Sequence, residues 1–96
     1  MKNNLNDEEL WRIIGFLKVS TSRLKTLNAL KNNFLMPSEI SRKTDLSQSQ
    51  VSTSLHDLKK NNLVMCMNEK TRKGRIYHAT DLGLELLEII NENEKH

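Results

Sequence analysis

The sequence predicts a mostly α-helical fold with one small β-hairpin, and three observations carry that prediction. Apolar residues recur at helical spacing in several segments, each preceded by a residue able to cap a helix. One apolar, β-compatible stretch, 63–67, is followed by a polar loop ending in glycine and by a returning stretch, 75–79, the pattern of a hairpin. Ninety-six residues, 36% apolar and 28% charged, suffice for one compact core and are too few for two. Residues 1–96 are therefore read as a single domain.

The elements follow in order. Asn6 caps a first helix over 6–19, with Glu9 completing a capping box, and Leu10, Ile13, Ile14 and Leu17 repeat along it. Ser22 caps a second helix over 22–33 with the stripe Leu24, Leu27 and Leu30, ended by Asn32 and Asn33. The segment from Phe34 to Met36 is expected to be extended, because Met36 precedes the only proline. Pro37 suits the first turn of a third, very short helix over 37–43. Thr44, Asp45 and Leu46 break the chain. Ser47 then caps a fourth helix, with Gln50 at the reciprocal capping-box position and Val51, Leu55 and Leu58 buried. It ends near Asn61 and Asn62. After the hairpin, Thr80 caps a last helix over 81–92.

A very short helix, a tight break and a longer capped helix form a helix-turn-helix, here about 37–61. Ile40, Leu46, Val51 and Leu55 would lock the two helices together. With Val51 inward, and about 100° per residue, Ser49, Thr53, His56 and Lys60 point outward, and Gln48, Gln50 and Ser52 flank the exposed first turn. Ordinary solvated faces carry Lys and Glu, whereas this one is short, polar and uncharged at its start. Such donors and acceptors suit close approach to base edges. The hairpin, about 63–79, adds a basic tip: Lys70, Arg72, Lys73 and Arg75 stand against Glu69 alone, and phosphates are the natural partner of such a tip.

The charge distribution agrees. Residues 20–79 hold eleven basic and four acidic side chains, a net of +7, while residues 80–96 hold one basic and five acidic, a net of −4. A basic middle between neutral and acidic ends fits a central face that meets a polyanion. No apolar run is long enough to span a membrane, and the first residues lack an apolar signal core, so a cytoplasmic location is expected. Catalysis is not: there is no glycine-rich phosphate loop and no nucleophile–base spacing. The single cysteine, Cys66, reads as a small core residue and supplies no metal pair. His56 reads as solvated, His78 as structural, and His96 is uninformative. Asp81, Glu85, Glu88 and Glu92 form a solvated stripe. No cofactor or metal is expected.

The strings P-S-E-I-S-R-K-T (37–44), L-S-Q-S-Q-V-S-T-S-L-H-D-L (46–58), N-N-L-V (61–64) and G-R-I-Y-H-A-T-D-L-G (74–83) resemble winged helix-turn-helix regulators of the ArsR and MarR type, small archaeal ones especially. The resemblance covers about half the chain. It implies that the helix after the turn enters the major groove of double-stranded DNA, which makes Gln48, Ser49, Gln50, Ser52 and Thr53 candidates for base or nearby phosphate contact. It also implies wing contacts from Arg72, Lys73 and Arg75 and backbone contacts from Ser38, Arg42 and Lys43. Two departures stand out. Met36 occupies the place where Thr or Ser often caps the third helix, so a looser helix start is expected. The clustered ligands of metal-sensing members are missing, so metal sensing is not implied.

The terminal helices carry more apolar surface than one stripe requires. Leu84 and Leu87 fall outside the Leu82–Leu86–Ile89–Ile90 stripe, and Trp11, Phe16 and Val19 fall outside that of the first helix. The expectation is a homodimer held by these helices, with Leu10, Trp11, Ile14, Leu84, Leu87 and Ile90 at the interface. The expected function is that of a site-specific DNA-binding transcription regulator. The rival is a winged helix used for protein contacts within the transcription machinery. A small-molecule effector is compatible with the sequence, but nothing selects it.

Overall fold

A computed structural model describes residues 5–93, and His96 lies outside them. The order is α1 (Asp7–Lys18), α2 (Thr21–Ala29), α3 (Pro37–Thr44), α4 (Gln48–Lys60), β1 (Val64–Cys66), β2 (Tyr77–Ala79) and α5 (Asp81–Asn93). The predicted order of helices and hairpin is therefore found. Helix α1 starts with the expected box: the Glu9 N–H donates to Asn6 Oδ1 at 2.8 Å, and the Asn6 N–H donates to the Glu9 carboxylate at 3.5 Å.

Helix α2 differs from expectation at both ends. Its cap is Ser20, whose hydroxyl accepts from the Arg23 N–H at 3.3 Å, so Ser22 lies inside the helix. It stops at Ala29. Leu30 and Lys31 donate back only three residues, to Leu27 and Asn28, which tightens the last turn. The Asn33 side chain then donates to the Ala29 carbonyl at 3.0 Å. Asn33 does close the helix, but from four residues beyond its end.

The start of α3 is held rather than loose. Met36 offers no side-chain cap, yet the Glu39 carboxylate accepts the Met36 N–H at 2.8 Å, which is one half of a capping box. The turn after α3 is fixed by Asp45 at φ 65°, the left-handed region that Asp tolerates better than most residues. Ser41 Oγ donates to the Leu46 carbonyl at 2.5 Å, and Thr44 Oγ1 accepts from the Leu46 N–H at 3.3 Å. The angle between α3 and α4 is thus set by hydrogen bonds as well as by the buried Ile40 and Val51.

The hairpin pairs Val64 with Ala79, Met65 with His78 and Cys66 with Tyr77. Leu35 bridges Tyr77 on the other edge of β2, so the segment before Pro37 is extended as expected. This arrangement anchors the start of α3 to the hairpin.

The core gathers Leu17, Leu27, Leu30, Ile40, Val51, Leu58, Leu63, Leu86, Leu87 and Ile90, all essentially inaccessible. Three residues expected at a dimer interface therefore belong to the chain's own core: Ile14, Leu87 and Ile90 are 4%, 0% and 1% exposed. The inward face of α5 is Gly83, Leu86, Leu87 and Ile90, turned by about 60° from the stripe inferred around Leu82. Gly83 explains the turn. A Cβ there would stand 2.3 Å from the Leu63 carbonyl oxygen and 3.2 Å from Leu27 Cδ1, so only glycine lets α5 approach this closely. Thr80 holds the start of α5, accepting from the Gly83 N–H at 3.0 Å and donating to the Asn62 carbonyl at 2.7 Å. Leu10 and Leu84 are half-buried, and Trp11 remains 58% exposed.

Candidate nucleic-acid interface

Helix α4 buries Val51, Ser54, Leu55 and Leu58, so its other side must face solvent. Gln48, Ser49, Gln50, Ser52, Thr53 and His56 are all exposed there. Among the described residues, the side chains of Gln48, Ser49, Ser52 and Thr53 make no hydrogen bond within the chain. This is a row of unspent donors and acceptors on a rigid helix.

Two clefts flank that row. On one side Ser49, Gln50, Thr53 and Asp57 face Ser20, Ser22 and Arg23 of the α2 start. On the other, Ser52, His56 and Lys59 face Pro37, Arg75 and Tyr77. The exposed row of α4 therefore stands as a ridge between the α2 start and the hairpin.

Gln50 completes the capping box expected at the start of α4. Its Oε1 accepts the Ser47 N–H at 2.9 Å, and its Nε2 lies 3.5 Å from Ser22 Oγ. These contacts hold the exposed Gln50 amide in one orientation and use part of its hydrogen-bonding capacity, whereas Ser49, Ser52 and Thr53 keep all of theirs.

The hairpin tip presents Lys70, Arg72 and Lys73 to solvent. Arg75 is half-buried and lies along the loop, its Nε donating to the Thr71 carbonyl at 2.7 Å and its NH2 group to the Glu69 carbonyl at 3.3 Å. It shapes the loop instead of projecting from it. Asn68 closes the loop, donating to the Gly74 carbonyl at 3.0 Å and accepting the Ile76 N–H at 2.8 Å, with Gly74 at φ 69° where a side chain would be strained. Glu69 is ion-paired with Lys59 of α4. Their mutual hydrogen bond holds the Glu69 carboxyl below the ordinary carboxylate range and the Lys59 ammonium above the ordinary lysine value.

Ser38 is half-buried in the first turn of α3, whereas Arg42 and Lys43 are exposed in its last turn. Lys43 shares an open cleft with Lys25 and Asn28 of α2, and Lys25 is a cation that sequence reasoning did not single out. It also missed Arg23, whose guanidinium lies 4.0 Å over the Phe16 ring and donates to the Phe16 carbonyl at 3.0 Å and to Asp57 Oδ2 at 3.2 Å. Arg23 ties α1, α2 and α4 together. Its partner lies 34 positions away in sequence, a pairing with no local signal. His78 is structural, bonded through Nδ1 to the Asn33 carbonyl oxygen at 3.1 Å and stacked on Phe34 at 4.1 Å. Among the described residues, no three His, Cys, Asp or Glu side chains group as metal ligands.

The short α3, fixed turn, capped α4 and basic hairpin define a winged helix-turn-helix. The family model described as bacterial regulatory protein, arsR family, matches residues 20–65, which is α2 through β1 and slightly under half of the chain. No curated protein sequence matches the chain significantly. Among the solved structures that share its fold are the following three. TubR bound to 24 bp of tubC, from Bacillus thuringiensis serovar israelensis pBtoxis, has a TM-score of 0.77 at 18% identity, covering 95% of this chain and 98% of that one. Reduced HlyU from Vibrio cholerae has a TM-score of 0.71 at 20% identity over 94% of both chains. The homodimeric winged helix-turn-helix DNA-binding domain Mb0332 from Mycobacterium bovis has a TM-score of 0.66 at 19% identity, covering 100% of this chain and 98% of that one.

Proposed function

We propose that this chain is a transcription regulator of the cytoplasm that binds double-stranded DNA site-specifically as a homodimer. The observation that carries the reading is the α4 ridge: Ser49, Ser52 and Thr53 are exposed, short and unpartnered, and the exposed Lys70–Arg72–Lys73 tip is tied to the last turn of the same helix through Glu69 and Lys59. Short polar side chains at the start of a helix suit base edges in the major groove, and the basic tip suits the flanking phosphates. TubR, of the same fold, is bound to 24 bp of tubC, which supports the DNA-binding reading. The arsR-family match over α2 to β1 supports the regulatory role. The likeness to MarR-type and small archaeal regulators rests on the four sequence strings alone.

The dimer is supported by what α1 and α5 leave uncovered. Trp11 is 58% and Val19 80% exposed, and Leu10, Leu82, Leu84 and Ile89 are only half-buried. Burying these across a two-fold axis would also set the spacing of two α4 helices. Selection of bound duplexes from a random pool tests the reading. The expected result is a symmetric site whose half-sites lie about 10–10.5 bp apart or a multiple of that. A pool that yields no enriched sequence would instead point to a winged helix used for protein contacts.

A further inference from the structure

The basic tip of the hairpin carries one acidic side chain, and phosphate attraction alone does not explain it. Glu69 lies between a cationic loop and a ridge read as facing DNA, where a negative charge opposes binding. Its carboxylate is ion-paired with Lys59 in the last turn of α4. Its carbonyl, with that of Thr71, accepts from the Arg75 guanidinium. Asn68 bonds across the same loop to Gly74 and Ile76, and Thr71 donates to the Asn68 carbonyl at 2.9 Å. The tip is thus cross-linked within itself. Among the described residues, Lys59–Glu69 is the one side-chain hydrogen bond or ion pair joining that tip to α4.

We propose that Lys59 and Glu69 are positioning residues that latch the wing to the recognition helix, holding Lys70, Arg72 and Lys73 in register with the α4 ridge when DNA is bound. The inference rests on the DNA-binding reading above and adds to it the device that orders the wing. The latch needs an acid at the tip even at some cost in phosphate attraction, because an unlatched cationic loop must be ordered when it binds. Exposed ion pairs are weak, so the effect is a modest gain in order rather than a determinant of folding.

The double variant Lys59→Gln/Glu69→Gln keeps the net charge of the region and removes the latch. Duplex binding by this variant is expected to be about two- to fivefold weaker than that of the wild type, the range an exposed pair supports. The exchanged pair Lys59→Glu/Glu69→Lys is expected to restore it. A neutral pair that binds as tightly as the wild type, or an exchanged pair no better than the neutral one, overturns the proposal. A second measurement needs no DNA. Trypsin should cut after Lys70, Arg72 and Lys73 faster in Glu69→Gln than in the wild type, at unchanged thermal stability, and equal cutting rates also overturn the latch. If wild type binds no duplex, the DNA reading fails on its own while the trypsin rates still decide whether the latch exists.

Discussion

Within α4, neighbouring polar residues have separate tasks. Thr53 is exposed with a free hydroxyl, whereas Gln50 caps its own helix. Thr53→Ala is therefore expected to lose about 1–3 kcal/mol of discrimination between cognate and scrambled duplexes with little change in melting temperature. Gln50→Ala should do the reverse, lowering stability by about 0.3–1.5 kcal/mol, the usual worth of one half of a capping box, while leaving discrimination nearly intact. Duplex titrations beside thermal melts separate the two. The sequence placed both residues at the exposed start of α4, because caps are local and periodicity is regular. It also showed that Gln50 could complete a capping box, but not that its amide would reach Ser22. That approach depends on the packing of α2 against α4.

At the scale of elements, what could be read from sequence followed the range of the interactions. The boundaries of α3 and α4 rest on caps within four residues, and they stand where Pro37, Ser47 and Asn61 suggest. For helix α2 the sequence points to Ser22 as the cap, whereas Ser20 takes that place two residues earlier by accepting the Arg23 N–H. Helix α5 carries apolar residues on several sides, and its periodicity points to the Leu82–Leu86–Ile89–Ile90 stripe, whereas Gly83, Leu86, Leu87 and Ile90 face inward. A signal was present in Gly83: a glycine inside a helical pattern marks a close approach. Gly83→Ala should therefore destabilise the protein although alanine favours helix by about 1 kcal/mol, because its Cβ would meet the Leu63 carbonyl at 2.3 Å. A denaturant midpoint that rises would contradict this packing.

The wing makes two further predictions of the same scale. Replacing Arg72 and Lys73 by alanine should weaken binding to all duplexes alike. It should also reduce the slope of log affinity against log salt by roughly 0.9 for each phosphate no longer neutralised. The Lys59–Glu69 pair adds a pH signature. The lowered Glu69 carboxyl means its contribution is present above the ordinary carboxylate range and is lost as pH falls through its folded value. The raised Lys59 ammonium means the pair persists to the alkaline end until pH passes the Lys59 value. A carbon-detected NMR titration should find Glu69 protonating at lower pH than it does in Lys59→Gln.

For the molecule as a whole, the described burial separates core from outer surface. Leu87 lies at 0% exposure and Trp11 at 58%, so the two should respond oppositely to a charge. Leu87→Glu should unfold the chain, whereas Trp11→Asp should leave it folded and shift sedimentation equilibrium from dimer toward monomer. A Trp11→Asp protein that sediments as the wild type does would remove α1 from the interface. The charge gradient along the chain acts at this scale too. The net +7 of residues 20–79 surrounds the α4 ridge and the wing, and the acids of α5 lie outside that segment.

The central claim is that the free polar ridge of α4 selects sequence while the basic surface supplies affinity. The measurement that tests it most directly is the ratio of affinities for the selected duplex and a scrambled one, compared between wild type and Ser49→Ala/Ser52→Ala/Thr53→Ala. The account predicts a wild-type ratio of at least about 10³, reduced by about 100-fold or more in the triple variant, with affinity for the scrambled duplex nearly unchanged. A triple variant that loses affinity for both duplexes equally, or keeps the wild-type ratio, would contradict it.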